Sequence, residues 1–173
     1  NVLKSKEIIG FDTETRPSFR KGVVHKVSLI QLSDEEECFL FRLNKIGFNA
    51  DLMTFLASEK PMKIGLSLHD DFNMINHTTA LRPKGFIDLQ SLVGQFKISD
   101  ISLQKIYAIL FQQKISKSQR LTNWEANELT PAQQQYAAID AWACINIYNY
   151  LESGCYNPEL SPYIVSEVTE CHE

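Results

Sequence analysis

The sequence predicts an α/β domain, a mixed β-sheet flanked by helices on both faces. Two observations carry that expectation. Three short apolar stretches joined by polar turns open the chain, and after them helical and extended patterns alternate. The 173 residues suit one domain with a sizeable core. A composition of 44% hydrophobic and 22% charged residues is ordinary for a globular chain.

Ile8 to Thr13, Lys26 to Leu32 and Cys38 to Phe41 are the three leading strands. Glu35-Glu36-Glu37, in the second turn, is expected to be a solvated hairpin end. Asp51 to Ala57 has the spacing of an amphipathic helix with Leu52, Phe55 and Leu56 inward. Pro61 to Leu66 is a buried strand, followed by a helix from about Asp70 to Asn76. Phe86 to Leu89 is a short strand leading to a helix near Gln90 to Phe96, and Ser102 is placed to cap a helix running to Phe111. Thr130-Pro131-Ala132-Gln133 is a strong helix start, with proline at the first helical position and glutamine at the third. That helix should run to about Leu151 and stop before Gly154. It is apolar on most faces, so it should be central and buried. Beyond Gly154, with Pro158 and Pro162, no periodicity remains, and a surface-packed tail is expected.

Composition excludes several classes. No run reaches the roughly 18 apolar residues that span a membrane. No signal peptide is read, although the abrupt opening on a strand leaves room for an upstream segment. Cys38, Cys144, Cys155 and Cys171 show no Cys-x-x-Cys pairing, and two lie in apolar elements, so reduced core thiols are favoured over a disulfide framework or a zinc site. Cys171-His172 is assigned to a loose tail rather than to a metal. Such thiols fit an intracellular compartment, cytoplasmic or nucleoid/nuclear. A net charge of −4 does not advertise a nucleic-acid binder. Local basic clusters nevertheless stand out: Arg16, Arg20, Lys21 and Lys26, then Lys105, Lys114, Lys117 and Arg120. They suit a localised phosphate grip rather than strong binding to long duplex.

Four acidic residues and a tyrosine carry the chemistry. Asp12 and Glu14, in Phe11-Asp12-Thr13-Glu14-Thr15, sit two apart on a strand and so project to one side. Tyr136 and Asp140 sit four apart on the late helix and share a face. Asp71 lies between them in Leu68-His69-Asp70-Asp71-Phe72. If these elements converge, carboxylates crowd a small volume where like charges repel. Hard divalent cations, Mg²⁺ or Mn²⁺, are the natural partners, and the pattern is that of a two-metal phosphoryl-transfer site.

Asp-x-Glu on a strand, a central Asp and Tyr-x-x-x-Asp on a late helix resemble the DEDD superfamily of 3′–5′ exonucleases, tyrosine subclass. The resemblance covers nearly the whole chain. It includes Val27 to Leu32, Cys38 to Phe41, Lys63-Ile64-Gly65, Phe86-Ile87-Asp88-Leu89 and Ser102-Leu103. The stretch from Asn123-Trp124 through Leu129-Thr130 to Gln135-Tyr136 is similar to the Werner-type and ribonuclease D branches. Asp-x-Glu alone is common by chance; three motifs in order on the expected elements are a strong signal.

The resemblance implies a ribonuclease-H-like fold over residues 1–154, with 155–173 as the tail. It implies hydrolysis of DNA or RNA from a free 3′ end, single-stranded or recessed, releasing nucleoside 5′-monophosphates. Asp12 would bridge two divalent cations and Glu14 would bind one of them. Asp140 would hold the ion that activates water, Asp71 would help hold the second, and Tyr136 would orient the nucleophile. Ribonuclease D carries a helical nucleic-acid-binding domain after this one and the Werner-type enzymes a motor; these 173 residues hold neither.

Plainer assignments compete at each position. Asp12 and Glu14 read otherwise as a solvated strand end. One of Asp70 and Asp71 should cap the helix while the other binds metal; the spacing from Gly65 and a helical face shared with Ile75 favour Asp71. Asp88 is better explained as a helix cap, His69 as incidental, and His25 and His77 as surface residues. Trp124 fits the core better than a stacking platform, while Phe19 and Phe72 are candidates for packing on a terminal base. Two other functions remain open: a non-catalytic nucleic-acid-binding or scaffold module, and a ribonuclease-H-like endonuclease, where Tyr-x-x-x-Asp is not expected.

Overall fold

The computed structural model describes residues 2–160. Five strands, β1 (Ile8–Thr15), β2 (Val27–Ser33), β3 (Cys38–Arg42), β4 (Met62–Gly65) and β5 (Phe86–Asp88), form one sheet in the order β3-β2-β1-β4-β5. The β1–β2 and β2–β3 pairs are antiparallel, whereas β1–β4 and β4–β5 are parallel. The predicted mixed sheet is therefore present. Strand β1 runs two residues beyond the expected Thr13, because Glu14 and Thr15 still pair with Leu29 and Val27 across an irregular step.

Alternation along β1 sorts its residues between two layers. Ile9 and Phe11 are fully buried on one face with Ile30 and Leu32 of β2, beneath α1 (Leu43–Ile46), α2 (Ala50–Leu56) and α3 (Leu68–Asn76). On that face Phe11 packs edge-on against Phe86 at 5.0 Å between centroids, and Phe86 against Phe72 at 4.9 Å. Phe72 is thus a core contact rather than a base platform. The opposite face is covered by α6 (Pro131–Glu152), with α4 (Leu89–Val93) and α5 (Leu103–Phe111) completing that layer. Helices on both faces satisfy the strands, as expected.

Local chemistry explains most element ends. The Asn49 side chain accepts from the Leu52 N–H and starts α2. Thr130 and Gln133 form a reciprocal capping box at the start of α6, with Pro131 at its first position. Ser102 stands at the start of α5 but makes no capping bond, its hydroxyl being buried without a partner. Its expected role is corrected accordingly. Glu35 is not merely solvated: its backbone carbonyl accepts from Trp142 Nε1 at 3.1 Å and its carboxylate from Asn149 Nδ2 at 2.7 Å, pinning the β2–β3 turn to α6. Lys63, fully buried in β4, donates to the carbonyls of Ser58, Pro61 and Lys84 and lies over the rings of Phe55 and Phe86.

Cys38, Cys144 and Cys155 are free thiols. Cys171, His172 and the tail beyond residue 160 lie outside the described residues. Among the described residues, no helix is long and apolar enough to cross a membrane.

Candidate active site

Strands β1, β4 and β5 are parallel, so their carboxyl ends share one edge of the sheet. The strand order reverses at β1, between antiparallel β2 and parallel β4, which is where open α/β sheets leave a crevice for ligands. Asp12 and Glu14 end β1 there, and α3 begins just after β4.

Helix α6 crosses the same edge unusually close to the sheet. The closeness depends on Gly10, whose missing side chain leaves room for the backbone carbonyl of Ala141; a Cβ at residue 10 would overlap that carbonyl. Glycine inside a strand is a recognised mark of close backbone approach, yet the sequence offered no way to name the partner. The contact puts Asp140, one residue before Ala141, over the carboxylates of β1. One oxygen each from Asp12, Glu14 and Asp140 lie within 4.8 Å of one another.

Burial and mutual repulsion shape the charge state of this cluster. Desolvation, then Asp140, Asp71 and Glu14, hold the Asp12 carboxyl well above the usual carboxylate range. Burial, then Asp140 and Asp71, push Glu14 up to about 9, against an opposing pull from Arg120. Burial raises Asp140 to about 7, opposed by the Tyr136 hydroxyl and by Lys117. Tyr136 is itself pushed up by burial and by Asp140, so it stays protonated at neutral pH and is suited to hydrogen bonding rather than proton abstraction. One carboxylate oxygen of Asp140 is buried without a hydrogen-bond partner. A set of hard oxygen donors with raised pKa values and an unpartnered oxygen fits a divalent cation.

Asp71 is held differently. The Thr13 hydroxyl donates to Asp71 Oδ1, tying α3 to β1 from the side opposite Asp12 and Glu14. Burial lifts Asp71 to about 7 while the Thr13 bond opposes the rise. Asp71 stands outside the close carboxylate triad but near enough to raise both Asp12 and Glu14. Asp70 is exposed. Neither caps α3. Instead Asp88 accepts from the Ser67 and Leu68 N–H groups at 3.1 and 2.9 Å, and from Gln90 N–H as the cap of α4. The cap expected at Asp88 therefore serves two helices. Thr13 was missed as a site residue because strand alternation turns it away from its acidic neighbours.

The other candidates sort clearly. Trp124 is fully buried, 6.0 Å from the Tyr136 ring between centroids, in a cluster with Leu29, Leu129 and Ala137. Phe19 is 82% exposed. His69 meets Asn73 on the surface, while His25 and Arg16 both approach Glu125, at 3.5 and 3.2 Å. Lys105 is paired with Asp100. Lys117 and Arg120 line a cavity of about 350 Å³ together with Asp12, Asp140, Ser67 and Gln104. A polyanion entering it would meet two cations beside the carboxylates.

An open, mixed five-stranded sheet with a carboxylate cluster at its switch point is a ribonuclease-H-like fold. Residues 1–154 match the 3′–5′ exonuclease family, and the chain belongs to that family, within the DEDD superfamily. It is 31% identical over 150 residues to a 3′–5′ exonuclease of Arabidopsis thaliana, covering 83% of this chain and 52% of that one. It is 28% identical over 155 residues to ribonuclease D of Haemophilus influenzae, covering 88% and 38%. The chain thus spans about half of the first relative's length and less of the second's. The Aedes aegypti Nibbler EXO domain superposes with a TM-score of 0.76 at 22% identity, covering 91% of this chain and 85% of that one, and shares the fold.

The titration of the cluster makes a measurable expectation for metal-free protein. Carboxylates raised in the folded state bind protons that the unfolded chain has already released above pH ~4. The folded state then binds more protons, so stability falls as pH rises. The loss should run from about pH 4 through the folded values near 7 for Asp71 and Asp140 to about 9 for Glu14. Denaturant midpoints in EDTA should fall across this window and recover on adding Mn²⁺. A flat profile would contradict the crowding.

Proposed function

We propose that this chain is a metal-dependent exonuclease that hydrolyses nucleic acid from a free 3′ end, releasing nucleoside 5′-monophosphates. The observation that carries the proposal is the convergence of Asp12, Glu14 and Asp140 within 4.8 Å, beside a cavity bearing Lys117 and Arg120. Asp12, Glu14 and Asp140 would hold two divalent cations, Mg²⁺ or Mn²⁺, with Asp71 assisting through water. When bound, such ions lower the pKa of the attacking water and stabilise charge on the leaving 3′ oxygen. The protein's own groups do the remainder. Lys117 and Arg120 draw the terminal phosphodiester into the cavity, and the protonated Tyr136 hydroxyl orients the nucleophile. Thr13 and Asp88 keep Asp71 and α3 in place.

The test is a 5′-labelled strand, DNA and RNA in parallel, incubated with and without Mg²⁺. Stepwise shortening with release of nucleoside 5′-monophosphate is expected. Internal cuts would make the protein an endonuclease; binding with no shortening would make it a scaffold.

Three substitutions refine the roles. Tyr136→Phe keeps the ring against Trp124 and removes one hydroxyl. A catalytic hydrogen bond is worth about 2–4 kcal/mol, so turnover should fall roughly 10²–10³-fold. Mn²⁺ affinity by calorimetry should be unchanged, and lost affinity would end the orienting role. Separately, Asp71→Asn should reduce metal-dependent cleavage far more than Asp70→Asn, because Asp71 is held by Thr13 at the site and Asp70 faces solvent. The reverse order in single-turnover rates would transfer the role to Asp70.

A further inference from the structure

Gln31 is the most anomalous side chain near the site. It is 0% exposed, and both its amide nitrogen and its amide oxygen lack hydrogen-bond partners. Buried polar groups are nearly always satisfied, so a wholly orphaned amide calls for a reason. Packing does not supply one. Two of its neighbours on the same face are apolar: Leu29, two residues earlier, packs with Trp124, Tyr136 and Ala137, and Leu40 lies opposite on β3. A leucine or methionine would fill that layer without burying an amide.

Register supplies the reason. Gln31 lies directly across the β1–β2 ladder from Asp12. Directly opposed residues of an antiparallel pair project to the same face with Cβ atoms about 4.5–5.5 Å apart. The Gln31 and Asp12 side chains therefore leave the sheet side by side. Ser33, the next polar residue on this face of β2, is already engaged with the carbonyls of Asp34 and Glu37.

We propose that Gln31 is a positioning residue for Asp12: its amide N–H steadies one carboxylate oxygen from the β2 side and presents the other to the cation. The role rests on the metal-dependent reading above. Groups behind a ligating carboxylate orient it, and their loss typically costs about 10–100-fold in metal affinity or activity. In the metal-free state the amide is a cost to stability without return.

The test is Gln31→Leu, with Gln31→Met as an unbranched second variant should leucine fail to fold. Mn²⁺ binding is measured calorimetrically on metal-free protein, beside melting temperatures in EDTA. The parental protein should bind Mn²⁺, and the variant about tenfold or more weakly. Its metal-free melting temperature should be equal to or above the parental value, since two orphaned polar atoms leave the core. A purely structural glutamine would give the opposite split, a changed melting temperature at parental Mn²⁺ affinity, and that result overturns the proposal alone. A parental protein that binds no Mn²⁺ overturns this proposal and the metal-dependent reading together.

Discussion

Replacing Asp12 with alanine should abolish cleavage in practical terms while leaving the fold intact. Asp12 sits at the centre of the acidic cluster, with Glu14 two residues on along β1 and Asp140 above it on α6. In the proposed role of Asp12 as a direct ligand, its loss should exceed the about 10–100-fold cost of disturbing a ligand's supports. A fall of at least roughly 10³-fold, or ~4 kcal/mol of barrier, is expected in single-turnover cleavage with Mg²⁺. Stability should move the other way. Burial, then Asp140, Asp71 and Glu14, penalise a charge on Asp12, so its removal takes that penalty out of the folded state. The metal-free melting temperature should stay level or rise, and Mn²⁺ should no longer raise it. Parental turnover in the purified variant would remove Asp12 from the chemistry; a collapsed fold would show that the carboxylate serves packing.

Gly10→Ala should cause the largest loss of stability of any single methyl addition to the sheet. The obstacle is the backbone carbonyl of Ala141 in the middle of the 22-residue α6, not the end of a flexible side chain. Overpacking of cores costs about 1–3 kcal/mol and occasionally more. With rigid backbone on both sides, about 3 kcal/mol or more is expected. For a chain of this size that corresponds to a melting point lowered by roughly 6–12 °C. Activity should fall as well, because lifting α6 carries Asp140 away from Asp12 and Glu14. Mn²⁺ affinity and melting temperature should therefore drop together in Gly10→Ala, whereas Asp12→Ala separates them. A variant within two degrees of the parent by calorimetry would show that α6 can shift freely.

The two variants mark the division between what the chain states locally and what it leaves to assembly. Sequence by itself determined the strands, the longer helices and the chemical types, though not the short α1. Period-two alternation placed Asp12 and Glu14 on one side of β1, and the four-residue spacing placed Tyr136 and Asp140 on one face of α6. Thr130 and Gln133 fixed the start of that helix by a bond pattern confined to four residues. Such features are legible because their physics spans a turn or two.

Tertiary structure decided everything that joins residues distant in sequence. Thr13 reaches Asp71 across 58 positions, which separates Asp71 from the exposed Asp70 where the spacing from Gly65 and the face shared with Ile75 only favoured Asp71. Asp88 caps the start of a helix twenty residues earlier, a bond invisible to any local rule. Phe72 was diverted into the core by Phe11 and Phe86, and Glu35 was drawn onto α6 by Trp142 and Asn149. Gly10 and Gln31 looked like ordinary strand residues; only the approach of α6 gives the first its steric role and the second its buried, unpartnered amide. Side-chain identity and period are written in neighbouring residues, whereas proximity across the fold arises from packing two faces of one sheet at once.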